Sequence, residues 1–214
     1  MRGLLLKDIY NLRKVGKQYL LIFLFFVCYC FLLKNPSFFA MMAIMSTSMM
    51  ILTSLGYDEA AGFDKYALTL PVEREDLVKV KYLLLLLLLG AGALIGLAGN
   101  VLINLFMKGE GMSAAEQMVS VGAVVSVFLI VYATMLPLVF KLGVERARML
   151  LTICYIAVFV AVFLVFKLLV AAGLEGSITD ERMIALAVGA AVAAVLYLLA
   201  SYFVSVRIIR KREW

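Results

Sequence analysis

Long apolar runs alternate with short polar breaks along this chain, and the lengths of the runs predict its elements. A run of about 18 or more apolar residues reads as a membrane-crossing helix. Six are predicted, at 18–33, 37–55, 82–107, 117–140, 149–172 and 183–206. The first is the shortest and meets the second across only Lys34, Asn35 and Pro36, so the pair should form a helical hairpin. Ser113 with Glu116, and Ser177 with Asp180, carry the capping-box spacing ahead of spans four and six. Pro137 should kink span four near one end. Ahead of the first run, Leu5, Ile9 and Leu12 share one helical face and Lys7, Asn11 and Lys14 the opposite one. Residues 1–17 therefore predict an amphipathic helix lying in the membrane interface. A signal peptide is the competing reading, but no small-residue cleavage site follows the first run. The predicted fold is an all-α integral membrane protein, with residues 1–214 forming one transmembrane domain.

One polar stretch is too long for a connector. Residues 57–82 carry Asp58, Glu59, Asp64, Glu73, Glu75 and Asp76, six of the chain's fourteen acidic residues. Apolar residues recur through it at Phe63, Tyr66, Leu68, Leu70, Val72, Leu77 and Val78. A spacer between two spans needs only a few polar residues. A segment with its own aromatic and aliphatic positions is read here as a loop that docks a separate soluble motor protein. The plain alternative is a solvated loop packing on its own helices.

Composition agrees with the membrane reading: 65% of residues are hydrophobic and the mean hydropathy is +1.07, where soluble domains are about half apolar. The net charge of +6 does not indicate nucleic acid, because cytoplasmic loops of membrane proteins collect Lys and Arg. Sixteen of the twenty basic residues fall in the N-terminal segment, the loops after spans two and four, and the C-terminal tail. Only Lys34, Lys108, Lys167 and Arg182 fall on the other side. Both termini and the 57–82 loop are therefore expected in the cytoplasm. Cys28, Cys30 and Cys154 lie in apolar runs and behave as small hydrophobes. The chain has no histidine, which excludes His-ligated metals and Ser-His proteolysis; no metal site is expected.

Within the spans, Met41, Met45 and Met49 recur every fourth residue of span two, with Ser46 and other hydroxyls between them. Flexible thioethers make an adaptable surface for varied amphipathic cargo, and ordinary helix packing is the alternative. Gly92 and Gly96 of span three form a small-xxx-small pair, suited to close packing within a subunit or between subunits. Asn100 and Asn104 share a face of the same span and fit an inter-helix hydrogen bond better than a polar path. Lys167 can snorkel to the head groups.

Transport needs an energy source, and the residues supply none. There is no G-x-x-x-x-G-K-[ST] phosphate loop, and no Asp or Glu lies centrally in a predicted span, where ion-coupled carriers place them. Energy must come from another protein. The opening GLLLKDIYNLRK, the 57–82 segment with Tyr57-Asp58-Glu59, Leu70-Pro71-Val72, Arg74 and Lys81-Tyr82, and the closing SVRIIRKREW together resemble the small permease subunits of ABC-2-type ATP-binding-cassette exporters. The resemblance is nearest to the group that includes the membrane subunits of phenol-soluble-modulin peptide exporters. It implies a bacterial cell-membrane half-transporter that pairs with a second, identical or homologous permease. Two separate ABC ATPase subunits would bind ATP and Mg, leaving this chain without a cofactor.

The resemblance also implies that the N-terminal helix and a coupling helix beginning at Pro71 rest on the ATPase. Tyr57, Asp58, Glu59, Leu70, Pro71, Val72, Glu73, Arg74, Leu77 and Val78 are the docking residues it suggests. Glu73, Glu75 and Asp76 suit the positive end of such a helix, and Val72, Leu77 and Val78 would be its apolar anchors. Met41, Met45, Ser46 and Met49 would line the path of a hydrophobic cargo, most naturally an amphipathic peptide, with span five as partner. The short 174–182 segment leaves little room for the re-entrant helices of larger relatives. Two other readings stay open: the substrate-binding membrane component of an ATP-driven vitamin importer, and a membrane-embedded lipid-modifying enzyme. Finding an ATPase bound directly to the 57–82 loop would argue against the first; the lack of an interfacial Asp cluster argues against the second.

Overall fold

The structure, a computed structural model, describes residues 2–33, 36–67, 69, 73–106, 114–171 and 180–211. Among these, eight helices follow one another: α1 (Arg2–Arg13), α2 (Gly16–Leu33), α3 (Pro36–Ala60), α4 (Phe63–Ala67), α5 (Arg74–Phe106), α6 (Ala114–Leu142), α7 (Val144–Ala171) and α8 (Asp180–Lys211). Four helical stretches are long and apolar enough to cross a membrane: Phe38–Ala60, Arg74–Ile103, Glu116–Leu142 and Ala187–Lys211. Gly16–Cys30 is a shorter apolar helix, and α7 spans 28 residues. The capping residues expected at Ser113 and Ser177 lie outside the described residues, and α6 continues through Pro137 to Leu142.

Two helix pairs, α3 with α5 and α6 with α8, pack most extensively. Lipid is as apolar as leucine, so burial drives helices together only weakly there; close van der Waals fit does more. The α3–α5 seam shows this. A Cβ on Gly92 would collide with the Thr47 hydroxyl, and one on Gly96 would lie 3.0 Å from the Ala40 Cα. The small-residue pair thus packs within the subunit, and its side chains would collide with α3 if enlarged. On the other pair, the buried Tyr82 hydroxyl of α5 lies 2.6 Å from Ser201 and 2.8 Å from Ser205 of α8. Ser201 in turn bonds the Ala133 carbonyl of α6. These bonds tie three helices together where stray hydroxyls would otherwise be unsatisfied.

Two expectations change. The coupling helix is not a separate element among the described residues: Arg74–Lys81 is the beginning of α5, which runs unbroken for 33 residues. At 1.5 Å per residue that is about 50 Å, longer than the roughly 30 Å hydrocarbon core. Glu73 precedes its first turn, its carbonyl accepting the Asp76 amide at 2.9 Å, and Glu75 and Asp76 lie in that turn. Leucine-rich sequence on the C-terminal side offers nothing to stop a helix begun here. Second, the inward face of α1 is Leu4, Asp8 and Leu12, all buried, while Ile9 of the expected face is exposed. The helix is rotated toward Asp8 because that carboxylate has partners inside.

Candidate functional site: the charged end of the bundle

The N-terminal starts of α5 and α7 and the C-terminal ends of α3 and α8 meet at one end of the bundle, with α1 packed against it. Here two acids and two lysines from three helices interlock. Lys81 of α5 reaches Asp8 of α1 at 2.8 Å, Asp58 of α3 at 2.6 Å, and the Ser54 hydroxyl at 2.9 Å. Lys7 of α1 reaches Asp58 at 2.6 Å and faces Asp8 at 3.4 Å. Side-chain exposure is only 2% at Asp8, 9% at Lys81 and 10% at Asp58, and rises to 27% at Lys7. Charges this buried persist only when paired and hydrogen-bonded, and the quartet meets that condition by balancing its charge. A cavity of about 80 Å³ adjoins it, lined also by Leu4, Phe63, Leu77 and Val80.

A second joint lies beside the first. Helices α6 and α7 are separated by Gly143 alone, whose φ of +86° is a conformation that residues with a side chain rarely adopt. Glu59, at the end of α3, accepts the Val144 amide at 2.6 Å and so caps the start of α7. A carboxylate suits that position because the first amides of a helix lack intrahelical acceptors and carry its positive end. An open cleft of about 460 Å³ follows between α3 and α7, lined by Thr53, Gly56, Tyr57, Glu59, Glu145 and Arg148 among others. Glu75 in the first turn of α5 bonds Arg210 in the last turn of α8, with the Nε at 3.0 Å.

The suggested docking residues are therefore divided. Asp58 belongs to the quartet, Glu59 caps α7, and Leu77 lines the cavity. Val78 is fully buried in the core, so it packs inside the subunit and offers no surface as an anchor. Tyr57 and Glu73 are exposed, while Leu70, Pro71 and Val72 lie outside the described residues. On α3, Met41 and Met49 are exposed and Met45 is partly buried against the core, one face about 12 Å long at helical rise. Ser46 bonds back to the Ala43 carbonyl at 3.1 Å. Asn100 is buried, and its amide makes no hydrogen bond among the described residues. The side chain of Asn104 falls outside them. The Lys167 ammonium lies 5.5 Å from the centre of the Phe163 ring, a neighbour on its own helix.

Sequence reasoning missed Asp8. One signal was available: it is the single acid in the first 57 residues, set between Leu4 and Leu12 at i−4 and i+4. Lys81 stood out only through the resemblance, and its partners could not be paired without the fold.

No curated protein and no solved structure matches the chain. Residues 3–210 match the family described as ABC-2 family transporter protein, nearly the whole length. The chain, an all-helical multi-pass membrane protein, belongs to the ABC-2 transporter family as a permease component of an ABC transporter.

Proposed function

We propose that this chain is one half of the membrane pathway of an exporter that uses ATP hydrolysed by separate ABC ATPase subunits. Cargo is hydrophobic or amphipathic, most naturally a peptide, and moves outward from the cytoplasm or inner leaflet of a bacterial cell membrane. The observation that carries this reading is the family membership of a chain whose 214 residues contain no phosphate loop. In this reading α2, α3, α5, α6, α7 and α8 are six spans, both termini are cytoplasmic, and the charged end of the bundle faces the motor. A second copy or a homologue completes the pathway. The motor rests on α1 and on the segment from Tyr57 to the first turns of α5. Its contacts fall on the exposed Tyr57, Tyr66 and Glu73, since Val78 is used inside.

The outward methionine face of α3 supports an amphipathic cargo, because thioethers adapt to varied apolar shapes. The test is ATP-driven uptake of a fluorescent amphipathic helical peptide into inverted vesicles containing the chain and the ATPase that co-purifies with it. Met49→Glu should reduce uptake at least tenfold at equal membrane yield, with Phe159→Glu on the exposed face of α7 as a comparison of equal insertion cost. Equal loss at both positions would leave the methionine face without a role. A chain that binds no ATPase would end the exporter reading itself.

A further inference from the structure

The quartet is least buried at one edge. Asp8, Asp58 and Lys81 are at most 10% exposed, and the exposed edge is Lys7 at 27%. Against that edge lies the ring of Phe63, whose centre is 3.4 Å from the Lys7 ammonium. Phe63 also lines the cavity that adjoins the quartet. It opens α4, a five-residue helix held off α3 by a turn at Gly62, where φ is +60°. The next turn of α4 presents Tyr66, 60% exposed, to the outside. The cover and the handle are therefore on the same short helix, in the middle of the 57–82 segment.

We propose that Phe63 is a movable lid on the quartet, and that the motor subunit opens it by displacing α4. This rests on the reading above, in which the motor docks at this segment. The physical chain is short. A cation–π contact on a partly exposed lysine is weak beside a buried ion pair, so α4 leaves Lys7 more easily than Asp58 does. The cavity behind the ring, about 80 Å³ with charged walls, is roomy enough for a few waters. Water reaching it raises the local dielectric and weakens every pair in the quartet. Asp8 Oδ1, buried and without a hydrogen bond among the described residues, is the first atom to gain from hydration. Since Lys81 and Lys7 are what join α1, α3 and α5 here, hydration frees the interfacial helix and the methionine-bearing helix from one another. Motor contact is thereby converted into looser helix packing without any change in the loop's length.

The test uses the full chain in lipid nanodiscs, with Cys28, Cys30 and Cys154 replaced by alanine and a single probe, Val80→Cys, whose position is 3% exposed and lines the cavity. The readout is its rate of reaction with a charged methanethiosulfonate reagent. The probe should react slowly in the parent. Phe63→Ala should accelerate it at least tenfold, and Phe63→Tyr, which keeps a ring over Lys7, should leave it within twofold of the parent. Adding the co-purifying ATPase with a non-hydrolysable ATP analogue should accelerate the probe at least fivefold in the parent. An unchanged rate for Phe63→Ala overturns the lid, as does a parent rate equal to that of an exposed Glu73→Cys control. An ATPase that co-elutes with the nanodisc but leaves the rate unchanged overturns the opening step. An ATPase that never binds defeats the exporter reading instead, while the Phe63 comparison still decides whether the lid exists.

Discussion

Replacing Lys81 by methionine removes one charge from the quartet and keeps nearly the same shape. Its size effect on packing is therefore small, and the loss is electrostatic. In the parent Lys81 supplies partners to Asp8 at 2.8 Å and Asp58 at 2.6 Å. Without it, two buried carboxylates share only Lys7, which lies 2.6 Å from Asp58 but 3.4 Å from Asp8. Removing one partner of a buried pair costs about 3–5 kcal/mol, mostly the penalty of the charge left behind. Asp58→Asn should cost a similar amount, since it deprives both lysines. The double variant is different, because it leaves Asp8 with Lys7, a balanced pair. Its cost should fall short of the sum of the single costs by about 2 kcal/mol, within the roughly 0.5–3 kcal/mol found for groups in one network. The measurement is reversible unfolding in bicelles by steric trapping, on the parent, both singles and the double. Costs that add to within about 0.5 kcal/mol would refute the quartet as a coupled unit.

Three further outcomes follow from the same geometry. Gly96→Leu should lower the apparent melting temperature in detergent because its side chain meets the Ala40 backbone, an overpacking cost of about 1–3 kcal/mol or more; Gly90→Leu, with open space around it, should not. Gly143→Ala should destabilise by about 1–2 kcal/mol for its positive φ, and Glu59→Ala by about 0.5–2 kcal/mol for the lost cap of α7; in hydrogen exchange, the cap variant should show faster exchange at the start of α7. Cysteines placed at Ser113 and Ser177 should label from outside the cell and one at Glu213 only from inside, and an externally labelled Glu213→Cys would sink the orientation.

The helices were legible from run length: a helix lies on each of the six predicted apolar runs, with most ends within a few residues, and four of those helices hold a stretch long and apolar enough to cross a membrane. The largest boundary error is at α5, which begins eight residues before the expected Tyr82. Charged residues there looked like a separate element, yet nothing between Arg74 and Tyr82 breaks a helix, and hydrophobicity marks where lipid begins rather than where a helix does. The site was less legible. The resemblance put Asp58 and Glu59 among the docking residues, but each carboxylate meets a partner distant in sequence: Asp58 is buried against Lys81, and the exposed Glu59 accepts the Val144 amide. Val78 is buried for the converse reason: an aliphatic residue in a polar segment looks like a free apolar patch until the fold supplies α6 and α8 to cover its helix. Periodicity finds the faces of a helix. It does not say which face looks in when a buried carboxylate competes with aliphatic residues, as Asp8 does against Ile9.

A buried quartet is a poor device if stability alone is the purpose. Apolar residues of similar volume often hold helices together as well or better, since they carry no desolvation cost. What ion pairs provide and aliphatic contacts do not is a strong dependence on the water around them. Helices α1, α3 and α5 meet through charge at one end, where Lys81 and Lys7 bridge two carboxylates, while α3 and α5 also meet through glycine-tight packing further along, where Gly92 and Gly96 admit Thr47 and Ala40. The first joint weakens when wetted and the second does not. On the proposed reading, loosening would begin at the charged end and leave the α3–α5 seam as the pivot, so that α3, which carries the methionine face, would tilt about its glycine contacts rather than separate from the bundle. A separate motor docking at that end, as proposed above, would need such a division between a joint that can be released and a seam that cannot.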